Sequence, residues 1–194
     1  MQRINFSLSK TGLLMAALLV CVQVVAETFN LGLNYSHAAL ARGVLWPAIT
    51  GHFVHLSVAH LLLNAAATYL IVDAFESGFY RWRLPVATLL LAAMISAGLY
   101  WLYPSMRYYA GFSGVLHGLV LLGALWCSRY PEWVRWTIVA VVVAKVGWEQ
   151  SPYYDERHIA QLIGAPVAEQ AHLLGVAGAV IILLSARLAA AFRR

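Results

Sequence analysis

The segment AGFSGVLHG, residues 110–118, places a serine between two glycines, with a histidine four residues further along the chain. Serine becomes a nucleophile when a general base accepts its proton, and histidine is the side chain that most often does so. Gly111 and Gly114 would allow a tight turn and the close approach of a substrate to Ser113. Small residues also pack membrane helices, so a Gly-x-Ser-Gly turn alone is weak support for a nucleophile.

Two further apolar segments carry the polar groups that a serine nucleophile requires. The segment HLSVAHLLLN contains His60 and Asn64, one helical turn apart, and the segment EQAHLLG contains His172. Polar groups inside a membrane are costly, so they tend to face a protein interior or a water-filled cavity. A backbone N–H, an imidazole and an amide can together stabilise a tetrahedral oxyanion. These segments therefore predict one site for serine chemistry.

The same segments hold few acidic residues. Asp73 and Glu76 lie at the far end of the second apolar stretch, so we expect no carboxylate to complete a triad. A third buried charge would add to the cost of a site inside a membrane. The residues thus predict a Ser–His dyad. His117 either supports His172 by packing or acts as the base itself, and we favour support because a histidine on a facing helix can approach the serine from the substrate side.

The elements that position these residues follow from the composition. Of the 194 residues, 62% are hydrophobic and only 11% are charged, and the mean hydropathy is +0.73. Soluble domains carry about 25% charged residues, so we predict an all-α, multispanning membrane protein that forms a single domain over residues 1–194. A span needs about 20 apolar residues, with about 17 as a short limit. Six stretches are candidates: 11–26, 54–73, 84–103, 111–127, 134–148 and 170–187.

The distribution of basic residues predicts the orientation of these spans. With the N-terminus inside, nine basic residues lie on the inner face and four on the outer face, as the positive-inside rule requires. The inner set is Arg3, Lys10, Arg81, Arg83, Arg129, Arg135, Arg187, Arg193 and Arg194, and the outer set is Arg42, Arg107, Lys145 and Arg157. Both termini are then cytoplasmic, and loops 27–53 and 149–169 lie outside. The net charge of +5 is modest and indicates membrane orientation, with no nucleic-acid partner.

Other interpretations of the same residues remain open at this point. The first stretch could be a signal peptide cleaved after Ala26, although the charge asymmetry favours a retained span. Asp155, Glu156 and His158 could ligate a metal, but a solvated loop is the favoured interpretation. A different class of protein would bind haem or a metal through His55, His60, His117 and His172, because imidazole ligates both. That class would not explain Asn64 or the Gly-x-Ser-Gly turn. A third class is an inactive module that binds transmembrane helices.

At these residues the chain resembles the rhomboid family of intramembrane serine proteases. The resemblance covers about residues 45–180 and rests on GFSGVLHG, HLSVAHLLLN and AHLLG, together with LWPAITGHFVH before the second span, where Pro47 replaces the family's arginine. It implies a bundle of six transmembrane helices with a water-filled cavity open to the outside. It also implies Ser113 as nucleophile and His172 as base, with no cofactor or metal. The Ser113 N–H, His60 and Asn64 would form the oxyanion site.

Within that family the chain is most similar to the rhombosortase branch. The short chain and the segments TGHFVHLSVAHLLLN, GFSGVLHG and KVGWEQ carry this similarity. His117 stands where some rhomboids have a tyrosine that packs against the catalytic histidine. Many rhomboids have their second glycine of this segment at the position of Ala179, whereas this chain has it at Gly178. Because alanine is also small, we expect only a slight change of packing.

The branch implies particular substrates and a location. They would be bacterial proteins held by a C-terminal anchor of Gly-Gly, an apolar helix and a basic tail. Cleavage would occur at the periplasmic side of the inner membrane. Either hydrolysis or transfer to an amine is compatible with the sequence.

Overall fold

The computed structural model describes residues 9–80 and 82–193. Arg3, Arg81 and Arg194, three of the residues behind the predicted orientation, lie outside this part of the chain. The described residues form nine helices and two short strands. In chain order these are α1 (Lys10–Thr28), β1 (Tyr35–Ser36), α2 (His37–Ala41), α3 (Pro47–Thr50), α4 (Val58–Ala74), α5 (Arg83–Leu102), β2 (Tyr108–Tyr109), α6 (Ser113–Trp126), α7 (Glu132–Glu149), α8 (Arg157–Ile163) and α9 (Glu169–Ala191).

The predicted all-α class is confirmed, and each of the six apolar stretches coincides with one of the longer helices α1, α4, α5, α6, α7 and α9. Among the described residues, α1, α5 and α9 are long and apolar enough to cross a membrane, while α4 and α6 are shorter apolar helices. The number of spans therefore stays a prediction. Ala26 lies buried inside α1, and the same helix continues on both sides of it.

The second stretch becomes helical later than predicted, at residue 58 and not at 54. Ser57 is in an extended conformation, and its side chain accepts a hydrogen bond from the His60 N–H, which caps α4. His55 consequently lies in the loop before the helix, where its backbone N–H donates to Gln23 of α1 at 2.7 Å.

Helix α6 lies at the centre of the molecule and packs closely against α9. Small residues allow the two backbones to approach. A Cβ on Gly118 would lie 2.7 Å from the carbonyl oxygen of Gly175, and one on Gly114 would lie 2.8 Å from that of Ala171. Gly175 and Gly114 thus allow the close packing of α6 and α9. Gly178 faces Leu91 of α5 instead.

The longer helices alternate in direction, as contacts at both ends of the bundle show. At one end, the backbone N–H of Ser9 before α1 donates to Asp73 near the end of α4. Arg83 at the start of α5 lies over the ring of Trp126 at the end of α6. At the other end, Ser113 begins α6. This alternation places the early residues of α4, α6 and α9 together.

A two-residue strand pair holds the segment before α6 in place. Tyr35 pairs with Tyr109 and Ser36 with Tyr108 in antiparallel register. The Gly111 N–H then donates to the carbonyl oxygen of Gly51 at 3.1 Å. The sequence did not predict this pairing, because two residues are too few to show the alternation typical of a strand.

Candidate active site

Ser113 and His172 meet at the N-terminal ends of α6 and α9. The Oγ atom of Ser113 lies 3.0 Å from Nε2 of His172, a hydrogen-bonding distance. This contact depends on the close approach of the two helices at Gly114 and Ala171, one residue after the serine and one before the histidine. A larger residue at position 114 would separate the helices and the two functional groups.

Glu149 forms the second contact of the His172 ring. Its Oε2 atom lies 2.9 Å from Nδ1 of His172, and both side chains are buried. Because a carboxylate can only accept, Nδ1 carries the proton and Nε2 is left to accept from the Ser113 hydroxyl. The expectation that no carboxylate completes a triad is therefore wrong. The arrangement is a Ser–His–Glu chain of hydrogen bonds.

The physical reason for this error lies at the end of α7. Glu149 follows an apolar run, a position that predicts the start of the outer loop 149–169. The helix instead continues through Glu149 and turns its side chain toward α9. One sequence feature could have revealed it: Lys145 and Glu149 are four residues apart, the spacing of an ion pair on one helix face.

Lys145 provides a positive charge next to this buried carboxylate. Its ammonium group forms a salt bridge with Glu149 and lies 3.1 Å from Nε2 of His117. Pairing reduces the cost of burying the carboxylate. The lysine side chain itself is half exposed.

His117 packs against His172 and does not face the serine hydroxyl. The two rings are stacked, with centroids 4.1 Å apart and planes inclined by 26°. Nδ1 of His117 lies 2.8 Å from the carbonyl oxygen of Ser113, so it carries a proton, and Nε2 accepts from Lys145. Both ring nitrogens are thus engaged, which leaves neither free to accept the proton of the Ser113 hydroxyl.

His60 and Asn64 belong to α4 and line the other side of Ser113. The His60 ring rests against Gly111, where a Cβ would lie 2.7 Å from the ring carbon Cε1. Gly111 has a φ of +134°, a conformation that favours glycine. Within the described part of the chain, Nδ1 of His60 and Nδ2 of Asn64 are buried without hydrogen-bond partners.

Two cavities meet at Ser113. One of about 190 Å³ lies between His60, Tyr108 and the segment 163–168. The other, about 440 Å³, is a lateral and mainly apolar groove between α4, α6 and α7 that Asn64 and Lys145 also line. The serine is therefore accessible both from the end of the bundle and from its side.

Among the residues that the structure describes, one cluster of side chains could ligate a metal ion. Ligand atoms of His117, Glu149 and His172 all lie within 4.8 Å of one another. The Lys145 ammonium group already contacts Glu149 and His117, so it would repel a cation there. The residues fit a metal ion poorly.

The loop residues proposed as alternative metal ligands do not form such a cluster. Asp155 binds Arg157, with Oδ2 to Nη2 at 2.6 Å. These hydrogen bonds lower the pKa of the Asp155 carboxyl to about 2. Such an exposed ion pair fits a solvated loop.

The comparison with known proteins identifies the family. The family model for the Rhomboid domain matches residues 42–187, and the chain belongs to the rhomboid family. No curated protein sequence matches the chain. Membership of this family, together with the apolar helices, makes the chain a membrane protein and supports an intramembrane protease function.

Proposed function

We propose that the protein is an intramembrane serine endopeptidase in which Ser113 is the nucleophile and His172 the general base. The observation that carries this proposal is the 3.0 Å contact between Ser113 Oγ and the unprotonated Nε2 of His172. An activated nucleophile requires a base within hydrogen-bonding reach, and the base in turn requires a group that orients it. Glu149 meets the second requirement through Nδ1.

The reaction follows from these contacts. As Ser113 Oγ attacks the peptide carbonyl carbon, its proton passes to Nε2 of His172, and Glu149 stabilises the resulting imidazolium. The carbonyl oxygen becomes an oxyanion, which the Ser113 N–H, His60 and Asn64 stabilise as donors. His172 then gives the proton to the leaving amine, and an ester links the substrate to Ser113. Attack by water gives hydrolysis, whereas attack by an amine gives transfer.

The site lies in the bacterial inner membrane in this proposal, open to the periplasmic side, with both termini cytoplasmic. The nine-to-four distribution of basic residues supports this orientation. Reporter fusions after Arg194 and near Asp155 test it. A reporter fused after Arg194 that signals a periplasmic location would contradict the six-span arrangement.

The substrates in this proposal are proteins with C-terminal membrane anchors, cleaved just after small residues such as Gly-Gly. The apolar lateral groove beside Ser113 offers a surface on which an apolar anchor segment can lie. Glycine weakens a helix by about 1 kcal/mol relative to alanine, which helps the segment to unwind. Glycine also permits close contact with the backbone at Ser113. The resemblance to the rhombosortase branch is the further support.

A matched set of substrates tests this specificity. A reporter protein carries Gly-Gly just outside its anchor helix, and two variants carry Val-Val or Leu-Leu there. We expect cleavage of the Gly-Gly form alone, and no cleavage by Ser113→Ala. Equal cleavage of all three forms would contradict the specificity while leaving the protease function intact.

Labelling of the purified protein with a serine-reactive fluorophosphonate tests the enzyme function itself. We expect the wild-type protein to be labelled and Ser113→Ala to remain unlabelled. A haem absorption band without labelling would favour the alternative class that binds haem through histidines. The absence of both labelling and a haem band would favour an inactive helix-binding module.

A further inference from the structure

A further cavity lies at the end of the bundle opposite Ser113. It has a volume of about 360 Å³ and lies between the end of α6, the start of α7 and the end of α9. Two guanidinium groups, Arg135 and Arg187, and two indole rings, Trp126 and Trp136, line it. The residues that line it do not include Ser113, His172 or Glu149.

The two arginines of this cavity have no acidic partner in the part of the chain that the structure describes. The salt bridges found there involve other residues. Nε of Arg135 is buried and has no hydrogen-bond acceptor among the described residues. Glu132 also lines the cavity, but its Oε1 accepts from Nε1 of Trp136 at 3.3 Å. The cavity thus holds two guanidinium groups, Arg135 half-buried and Arg187 exposed, neither of which forms a salt bridge within the described residues.

An apolar groove of about 200 Å³ continues from this cavity toward the middle of the bundle. The cavity and the groove share Leu125, Trp136, Leu183 and Arg187. The rest of the groove is mainly aliphatic: Leu121, Val139, Val143, Val180 and Leu184. One continuous surface therefore has a basic end, an indole at the boundary and a hydrocarbon-lined extension.

We propose that this surface, the α7–α9 groove, binds an anionic glycerophospholipid. The phosphate accepts hydrogen bonds from Arg135 and Arg187, because guanidinium groups match the geometry of phosphate oxygens. One acyl chain lies against Val139, Val143 and Val180. Basic pockets between transmembrane helices on the cytoplasmic side are known to hold such head groups, and the proposed orientation places the groove on that side. The proposal does not depend on the proposed protease function.

The test compares lipid binding by the wild-type protein and by the double variant Arg135→Gln/Arg187→Gln. The double variant Arg129→Gln/Arg193→Gln is the matched control, since it removes the same charge from two exposed arginines outside the groove. Native mass spectrometry of delipidated protein measures retention of dioleoyl phosphatidylglycerol, with phosphatidylcholine and inorganic phosphate as comparison ligands. Circular dichroism confirms that each variant is folded.

We expect the groove variant to bind phosphatidylglycerol about 25-fold more weakly, because each basic side chain contributes about a factor of five. The control variant should bind within about twofold of the wild type, since its arginines lie outside the groove. Equal weakening in both double variants would overturn the proposal, because it would indicate non-specific attraction. Equal binding of phosphatidylcholine, or displacement of the lipid by millimolar phosphate, would overturn it as well.

Discussion

The two sides of Ser113 differ in how their polar atoms are used. On the side of α7 and α9, the ring nitrogens of His117 and His172 all have partners, and Glu149 contacts both His172 and Lys145. On the side of α4, buried nitrogens of His60 and Asn64 have no partner among the described residues.

This difference separates two tasks of the proposed site. A base must hold one tautomer and one orientation before substrate arrives, so its hydrogen bonds are complete in advance. Oxyanion donors are needed when negative charge develops. An unsatisfied buried donor costs about 1–3 kcal/mol, and such costs are concentrated at functional sites. In the proposed mechanism, the base side, α7 and α9, is preorganised, whereas on α4 the amide nitrogen of Asn64 is left unpaired for the reacting carbonyl.

Loss of either end of the Ser–His pair should have the largest effect. We expect Ser113→Ala and His172→Ala to lower cleavage of an anchored reporter by about 10⁶-fold, as in soluble serine proteases. Thermal unfolding in detergent serves as the folding control. Wild-type turnover by folded Ser113→Ala would contradict the assignment of the nucleophile.

Glu149→Gln should have the next largest effect, a loss of about 10⁴-fold in cleavage rate. An amide at position 149 can donate to Nδ1, which favours the wrong tautomer of His172, as in soluble triads. Glu149→Asp retains the carboxylate and should recover part of the rate. If the glutamine and aspartate variants cleaved equally fast, Glu149 would act only in packing.

On the oxyanion side, we expect His60→Ala and Asn64→Ala to lower kcat by about 10²–10³-fold each. KM should change little, because the lost hydrogen bonds form in the transition state. Leu62→Ala on the exposed face of the same helix is the control. A rise in KM with unchanged kcat would assign both residues to substrate binding.

The smallest effect is expected for His117. Replacement by tyrosine keeps an aromatic ring against His172 but removes the contact with the Lys145 ammonium group. Because that group is half exposed and keeps its salt bridge with Glu149, we expect the rate to fall by only about tenfold. His117→Tyr should therefore cleave measurably, while His172→Tyr should not. The reverse result would exchange the roles of the two histidines.

Much of the site could be predicted from the sequence because its residues lie in short segments with clear spacing. Ser113, His60, Asn64 and His172 each stand early in an apolar stretch, and the alternating helices bring these positions together. The apolar runs predicted that the longer helices exist. They did not predict the residue at which α4 begins, because that depends on the cap that Ser57 provides.

Glu149 could not be found by the same reasoning. A charged residue at the end of an apolar run is equally compatible with a loop or with the last turn of a helix. The choice depends on the partner that α9 supplies, His172, which is 23 residues away in sequence. The strand pair of Tyr35 and Tyr109 is likewise set by tertiary contacts.

The rate at which a fluorophosphonate labels Ser113 tests the central claim, that Glu149 acts through His172. The measurement compares the wild type, Glu149→Gln, His172→Ala and the double variant. Residues that act as a unit are strongly non-additive, so the double variant should be labelled no more slowly than His172→Ala alone. If the loss of labelling rate in the double variant equalled the product of the losses in the two single variants, the account would be contradicted, because Glu149 and His172 would then act independently.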